Sequence, residues 1–129
     1  MIDRITIIYN MGITYVKAKI VNPQFPKKQV EQEFLVDSGA TYSVMPKQEL
    51  LKIGIKPHRK QEFFLADGTK IIREIGDAIF EFEGLKGAAP IIFGEKGDSH
   101  LLGVFTLESL GLILDPFQRK LKPMKLLLV

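Results

Sequence analysis

Short runs of β-branched and aromatic residues, each cut off by a turn signal, constrain this chain more than any other feature of its sequence. Ile5-Thr6-Ile7-Ile8-Tyr9 stops at Asn10-Met11-Gly12, and Thr14 to Ile20 stops at Asn22-Pro23. Such runs suit a pleated, half-buried surface rather than one face of a helix. Gln29 to Asp37 alternates and then turns wholly apolar at Phe34-Leu35-Val36, as a strand does on entering a core. Glu62 to Leu65 and Thr69 to Ile72 flank Asp67-Gly68, a dipeptide that tolerates positive φ at both central positions of a tight hairpin. Ala78 to Glu83 and Pro90 to Phe93 read as further strands, ending at Gly84 and Gly94. Two short helices are predicted. Pro46 opens Lys47 to Ile53 and Gly54 closes it; Thr106 caps Leu107 to Leu110 and Gly111 closes it. No stretch reads as a linker, so residues 1–129 are expected to form a single, all-β domain with one or two short helices.

The chain has no cysteine, which excludes a disulfide framework, a thiol nucleophile and any cysteine-ligated metal. That composition suits a reducing, cytoplasmic setting. Met1 to Ile8 lacks the layout of a secretory leader, and the apolar runs are far shorter than the ~20 residues that cross a bilayer. No membrane partner is expected. The net charge is only +3, and the basic clusters Lys56 to Lys60 and Gln118 to Lys125 read as solvated faces. The phenylalanines sit in apolar runs rather than on a basic stripe, so no nucleic-acid partner is expected either. His58 and His100 stand alone without ligand-like spacing; neither a metal nor a cofactor is expected.

A faint internal repeat runs through the two helix candidates. Leu50, Ile53, Gly54 and Ile55 match Leu107, Leu110, Gly111 and Leu112 at one offset, 57 positions, the separation of Leu50 from Leu107 and of Gly54 from Gly111. The same offset lays Phe34-Leu35-Val36 on Ile91-Ile92-Phe93 and Val44-Met45 on Leu101-Leu102. Identity between the copies is very low, so the sequence alone leaves coincidence open. If the repeat holds, Asp37 in the first copy faces Gly94 in the second.

The strongest local signal is Phe34-Leu35-Val36-Asp37-Ser38-Gly39-Ala40-Thr41, an apolar strand ending in an acid, a hydroxyl residue and a glycine. The strand fixes the direction of the acid, and Gly39 allows a sharp loop whose backbone N–H can approach a carboxylate. The tripeptide alone equally fits an ordinary Asp-Ser-Gly turn. Its context is more specific. An apolar pair and glycine, Leu101-Leu102-Gly103, precede a short helix near the C-terminus, and a hairpin around Asp67-Gly68 lies between the two motifs. This ordered set, from about Ile13 to Leu121, resembles the retropepsin-like aspartic proteases, the single-lobe, retroviral-type family.

The resemblance implies a closed β-barrel domain active as a symmetric homodimer, an endopeptidase that cleaves extended peptide segments. It implies that Asp37 is the catalytic carboxylate, with Ser38, Gly39 and Ala40 completing the active-site loop and the Ser38 hydroxyl interlocking the two loops. Leu101, Leu102 and Gly103 would pack beneath that loop. Ala66, Asp67, Gly68 and Thr69 would form the tip of a flap over the substrate. The flap tip departs from viral relatives in carrying a single glycine. One acid per chain implies a dimer, because hydrolysis by carboxylates needs two around one water, and an isologous interface brings equivalent residues together. The alternative is a catalytically silent module of the same fold that binds peptides or dimerises.

Other constellations fall away on chemistry. Asp115 also follows an apolar run, but Pro116 offers neither an N–H nor glycine's freedom, so an Asp-Pro turn opening a hairpin is expected. Asp98-Ser99-His100 holds the residue types of a hydrolase triad, yet three consecutive side chains cannot form that relay. Gly94 to Asp98 reads as a surface turn. The apolar tail Leu126 to Val129 is either an interfacial strand or an edge strand of its own subunit.

Overall fold

The chain runs through nine strands and two short helices among the described residues. The structure, a computed structural model, describes residues 13–125 and residue 128. The strand expected at Ile5 to Tyr9 lies outside the described residues, as do Leu126, Leu127 and Val129 of the apolar tail. The strands are β1 (Tyr15–Val21), β2 (Gln29–Val36), β3 (Ser43–Pro46), β4 (Arg59–Phe64) and β5 (Lys70–Phe82), followed by β6 (Leu85–Gly94), β7 (Leu101–Leu102), β8 (Leu112–Asp115) and β9 (Lys120–Pro123). Helix α1 (Lys47–Lys52) follows β3, and α2 (Val104–Leu110) follows β7. The main sheet runs β1-β2-β7-β3-β6-β5-β4, and β1 pairs with β5 as well, from Lys19↔Glu81 to Val21↔Ile79. Strands β8 and β9 form a separate hairpin.

The internal repeat is present in the strand register itself. Leu35↔Leu101 and Val36↔Leu102 pair β2 with β7 in parallel. Shifting each partner to its equivalent gives Ile92↔Val44 and Phe93↔Met45, the observed parallel pairs of β6 with β3. Val44 and Leu101, equivalent to each other, pair directly. The copies therefore interlock, each lending a short strand to the long strand of the other. Both helices end the same way: Gly54 and Gly111 take φ of 77° and 70°, which glycine adopts without a Cβ penalty. At α1 the N–H of Gly54 bonds the carbonyl of Leu51 and that of Ile55 bonds Leu50, both at 3.0 Å, closing the helix over the buried pair Leu50 and Ile55.

Phe34, Phe80, Phe93, Ile20, Met45, Leu50, Ile91 and Leu102 are fully buried in one hydrophobic core. Each such side chain stabilises the fold by about 1.5–3 kcal/mol relative to exposure.

Three local expectations give way. The strands expected at Thr69–Ile72 and Ala78–Glu83 are one thirteen-residue strand, β5. Gly76 in its middle is no break: a Cβ there would lie 2.9 Å from both the Lys56 carbonyl oxygen and the Phe93 ring, so glycine admits close packing. Thr106 does not cap α2, which starts earlier behind Gly103; the Thr106 hydroxyl is buried and bonded across the fold instead. At Asp67-Gly68 only the glycine has positive φ, 87°. Leu65 accepts the N–H of Gly68 and donates its own to Thr69, so the loop is a turn with a glycine bulge rather than a two-residue turn. The expected Asp115 turn is present, its carboxylate accepting the N–H groups of Phe117 and Gln118.

Candidate active site

Strand β2 ends on Phe34 and Val36, both buried, which fixes the start of the following loop. The backbone is tied on both sides. Val36 N–H donates to the Thr14 carbonyl at 2.8 Å, and Asp37 N–H donates to the Leu102 carbonyl at 3.0 Å. Asp37 then folds the loop around itself: its carbonyl accepts the Ala40 N–H at 3.1 Å, and its Oδ1 accepts the Gly39 N–H at 2.9 Å. A Cβ on Gly39 would lie 3.2 Å from that same oxygen, so glycine leaves the carboxylate its place. Asp37 and Ala40 are half-buried, while Ser38 and Gly39 are exposed. The loop therefore presents its acid at a surface that another molecule can reach.

Beneath the loop lies the Leu101-Leu102-Gly103 segment. Gly103 is wedged under it: a Cβ would fall 2.6 Å from the carbonyl carbon and oxygen of Tyr42 and 2.9 Å from the Ala40 oxygen. Val104 N–H donates to Ala40 and Phe105 N–H to Thr41, so the start of α2 holds the far end of the loop. A buried hydroxyl pair completes the floor, Ser43 Oγ and Thr106 Oγ1 lying 2.6 Å apart while Gly103 N–H donates to Ser43 at 3.0 Å. Sequence reasoning passed over Ser43 and gave Thr106 the role of a helix cap instead. Alternation gave a faint signal for Ser43, which shares its side of β3 with buried Met45. Ser43→Ala leaves the Gly103 N–H and the Thr106 hydroxyl unpaired in the interior. It is expected to cost about 1–3 kcal/mol, read as a lowered urea midpoint with an unchanged slope.

A groove of about 630 Å³ opens beside the loop, starting at Ala40. Asp37 itself does not line it. Thr41, Tyr42 and Leu101 form one side, and Phe63, Leu65 and Ile71 of the β4–β5 hairpin form another. Tyr42 joins the two sides through edge-to-face contact with Phe63, at 5.7 Å between ring centres, and with Phe105 at 5.3 Å. Ala66, Asp67, Gly68 and Thr69 occupy the exposed tip of that hairpin. Asp67 Oδ1 accepts the Thr69 N–H at 2.8 Å, and the Thr69 hydrogen bonds hold the Asp67 carboxyl below its ordinary pKa.

The residues of Asp98-Ser99-His100 turn to separate partners. Asp98 binds Arg73, and His100 Nε2 lies 3.0 Å from Glu49 Oε2 on α1. Of the stretch Gly94 to Asp98, expected as a surface turn, Gly94 is the buried end of β6 and Glu95 to Asp98 form the turn, in which Gly97 and Asp98 also line the groove.

No protein-family model and no curated protein matches the sequence. Solved structures do. The retroviral protease-like domain of Ddi1 from Leishmania major shares 21% identity and a TM-score of 0.56, over 86% of this chain and 87% of that one. A retropepsin-like aspartic protease from Rickettsia conorii gives 21% and 0.52, over 81% and 77%. The simian foamy virus (mac) protease gives 19% and 0.51, over 74% and 92%. The chain has the retropepsin-like fold. At these identities the likeness is one of fold. In this retropepsin-like chain the two copies differ where it matters most. Gly94, the equivalent of Asp37, is buried, and a Cβ there would meet Val44 at 3.1 Å and the Met45 carbonyl at 3.2 Å. The second copy has little room for an acid.

Proposed function

We infer that the protein is an aspartic-type endopeptidase of closed-barrel form, working as a symmetric homodimer with one Asp37 from each subunit. The observation that carries this reading is the placement of a single acid on an exposed, tightly braced loop beside a groove that the β4–β5 hairpin helps to line, with Gly94 at the equivalent place. Two-fold pairing of the loops would set two carboxylates around one water. Sharing a proton, one takes a proton from the water while the other protonates the substrate carbonyl. An extended peptide fits the groove as an added strand, held through its backbone and selected by side-chain pockets. The β4–β5 hairpin acts as the flap, excluding bulk water while the bond is positioned. Ser38, exposed next to the acid, braces one loop against its mate, and Leu101, Leu102 and Gly103 support both.

The test is a digest of a mixed peptide pool from mildly acidic to neutral pH, read by mass spectrometry, with Asp37→Asn as matched control. Fragments that appear only with the parent protein support the reading. Peptides retained but left whole at every pH would point instead to the catalytically silent module.

A further inference from the structure

Among the described residues that line the groove, only Arg73 and Asp98 carry charge, and they hold each other. Arg73 Nε donates to Asp98 Oδ2 at 2.8 Å and Nη2 to Oδ1 at 3.3 Å, a two-point pair. Arg73 Nη1 donates to the Ile72 carbonyl at 3.0 Å, so most of the guanidinium is engaged. Asp98 is equally occupied, since Oδ2 also accepts the Glu95 N–H at 2.7 Å. The side chains are only 17% and 25% exposed. Burial pushes the Asp98 carboxyl up, but the hydrogen bonds from Arg73 and Glu95 outweigh it and leave it below its ordinary pKa. The acid is therefore ionised near neutral pH. The rest of the wall is apolar or uncharged: Tyr42, Val44, Phe63, Leu65, Ile71 and Ile92 among others.

We propose that Asp98 sets the charge selectivity of the groove: by holding Arg73 it turns away acidic peptide side chains, and neutralising it opens the groove to them. The inference rests on the reading that the groove receives a peptide. A ligand carboxylate entering the native groove meets the like charge of Asp98 and a guanidinium already satisfied, so it loses water without gaining a partner. With Asp98 neutral, Arg73 is a partly buried cation without its counter-ion, and a ligand carboxylate becomes its best partner. Exclusion by an occupied charge is selection by repulsion rather than by attraction. Asn at position 98 keeps an oxygen to accept the Glu95 N–H, so the turn that carries it is retained.

The experiment measures binding, in the uncleaving Asp37→Asn background, of peptide pairs that differ only in Glu against Gln at one position. Immobilised protein is exposed to the pooled pairs, and the retained peptides are counted by mass spectrometry. Asp37→Asn should favour Gln. Adding Asp98→Asn should raise the Glu-to-Gln ratio on the order of tenfold, the scale of a partly exposed ion pair. Adding Arg73→Gln as well should abolish that rise. An unchanged ratio, or no retention of either peptide by any variant, overturns the proposal. So does a rise that survives the loss of Arg73. The parent digest separates the two readings: a ratio shift without cleavage leaves charge selection standing on a silent module, and cleavage without a shift removes charge selection alone.

Discussion

Asp37→Asn is expected to lower peptide hydrolysis by about 10³-fold or more while leaving the fold in place. The amide is nearly isosteric, and its oxygen still accepts the Gly39 N–H that the native Oδ1 accepts at 2.9 Å. The backbone ties of the loop, Asp37 N–H to Leu102 and Ala40 N–H to Asp37, do not involve the side chain's charge. What disappears is the proton acceptor for the attacking water, and with it the shared proton that lets one carboxyl act as an acid. Stability should change by no more than about 0.5 kcal/mol, because the altered group sits at the surface of a loop held by its backbone. A thermal melt alongside the kinetic assay separates lost chemistry from lost structure. Hydrolysis at the parent's rate would remove Asp37 from the mechanism.

The second large effect is on stability. Gly103→Ala is expected to cost about 3 kcal/mol and to lower the thermal midpoint by roughly 10 °C. The backbone of Gly103 is extended, at φ −101° and ψ −179°, so conformational strain is not the cause. The cause is space. The new methyl would meet the carbonyl of Tyr42 at 2.6 Å and that of Ala40 at 2.9 Å, and these are backbone atoms rather than the ends of flexible side chains. Moving them disturbs the Val104–Ala40 and Phe105–Thr41 hydrogen bonds that hold the Asp37 loop. It also strains the Gly103 N–H bond to Ser43 in the buried floor. Activity should therefore fall with stability. A midpoint equal to the parent's would show that the floor yields more easily than the packing implies.

Much of this arrangement was legible in the residues. Strands β1 and β2, helix α1 and its closing Gly54 follow from alternation and turn chemistry, which act over a few residues and leave local marks. The offset between the copies was legible too, and the register of Leu35↔Leu101 against Val44↔Ile92 shows why: equivalent positions bury equivalent apolar side chains. The parts that were not legible depend on contacts distant in sequence. Strand β7 has two residues, too few to show any period. Strand β5 read as two separate strands, and nothing local marks Gly76, whose role only the Lys56 carbonyl and the Phe93 ring explain. The hydroxyl pair of Ser43 and Thr106 joins a strand to a helix, and neither residue announces the other. Arg73 and Asp98 were hidden in the same way, one inside a strand and the other in what read as a surface turn. At the candidate site, the Asp37 loop was visible because an acid after an apolar strand is a local pattern. The groove beside it was not, because Tyr42, Phe63 and Ile71 come from three separate strands or loops.

Mixing parent and Asp37→Asn chains at fixed total concentration, with subunits free to exchange, tests most directly whether each reaction centre needs an acid from both subunits. Random pairing at equal amounts leaves about a quarter of the dimers with both carboxylates. Activity should then follow the square of the parent fraction, falling to roughly a quarter at the equal mixture. Activity that falls in simple proportion to the parent fraction, to about half at that point, would show that one chain suffices and would contradict a centre shared across the two-fold axis.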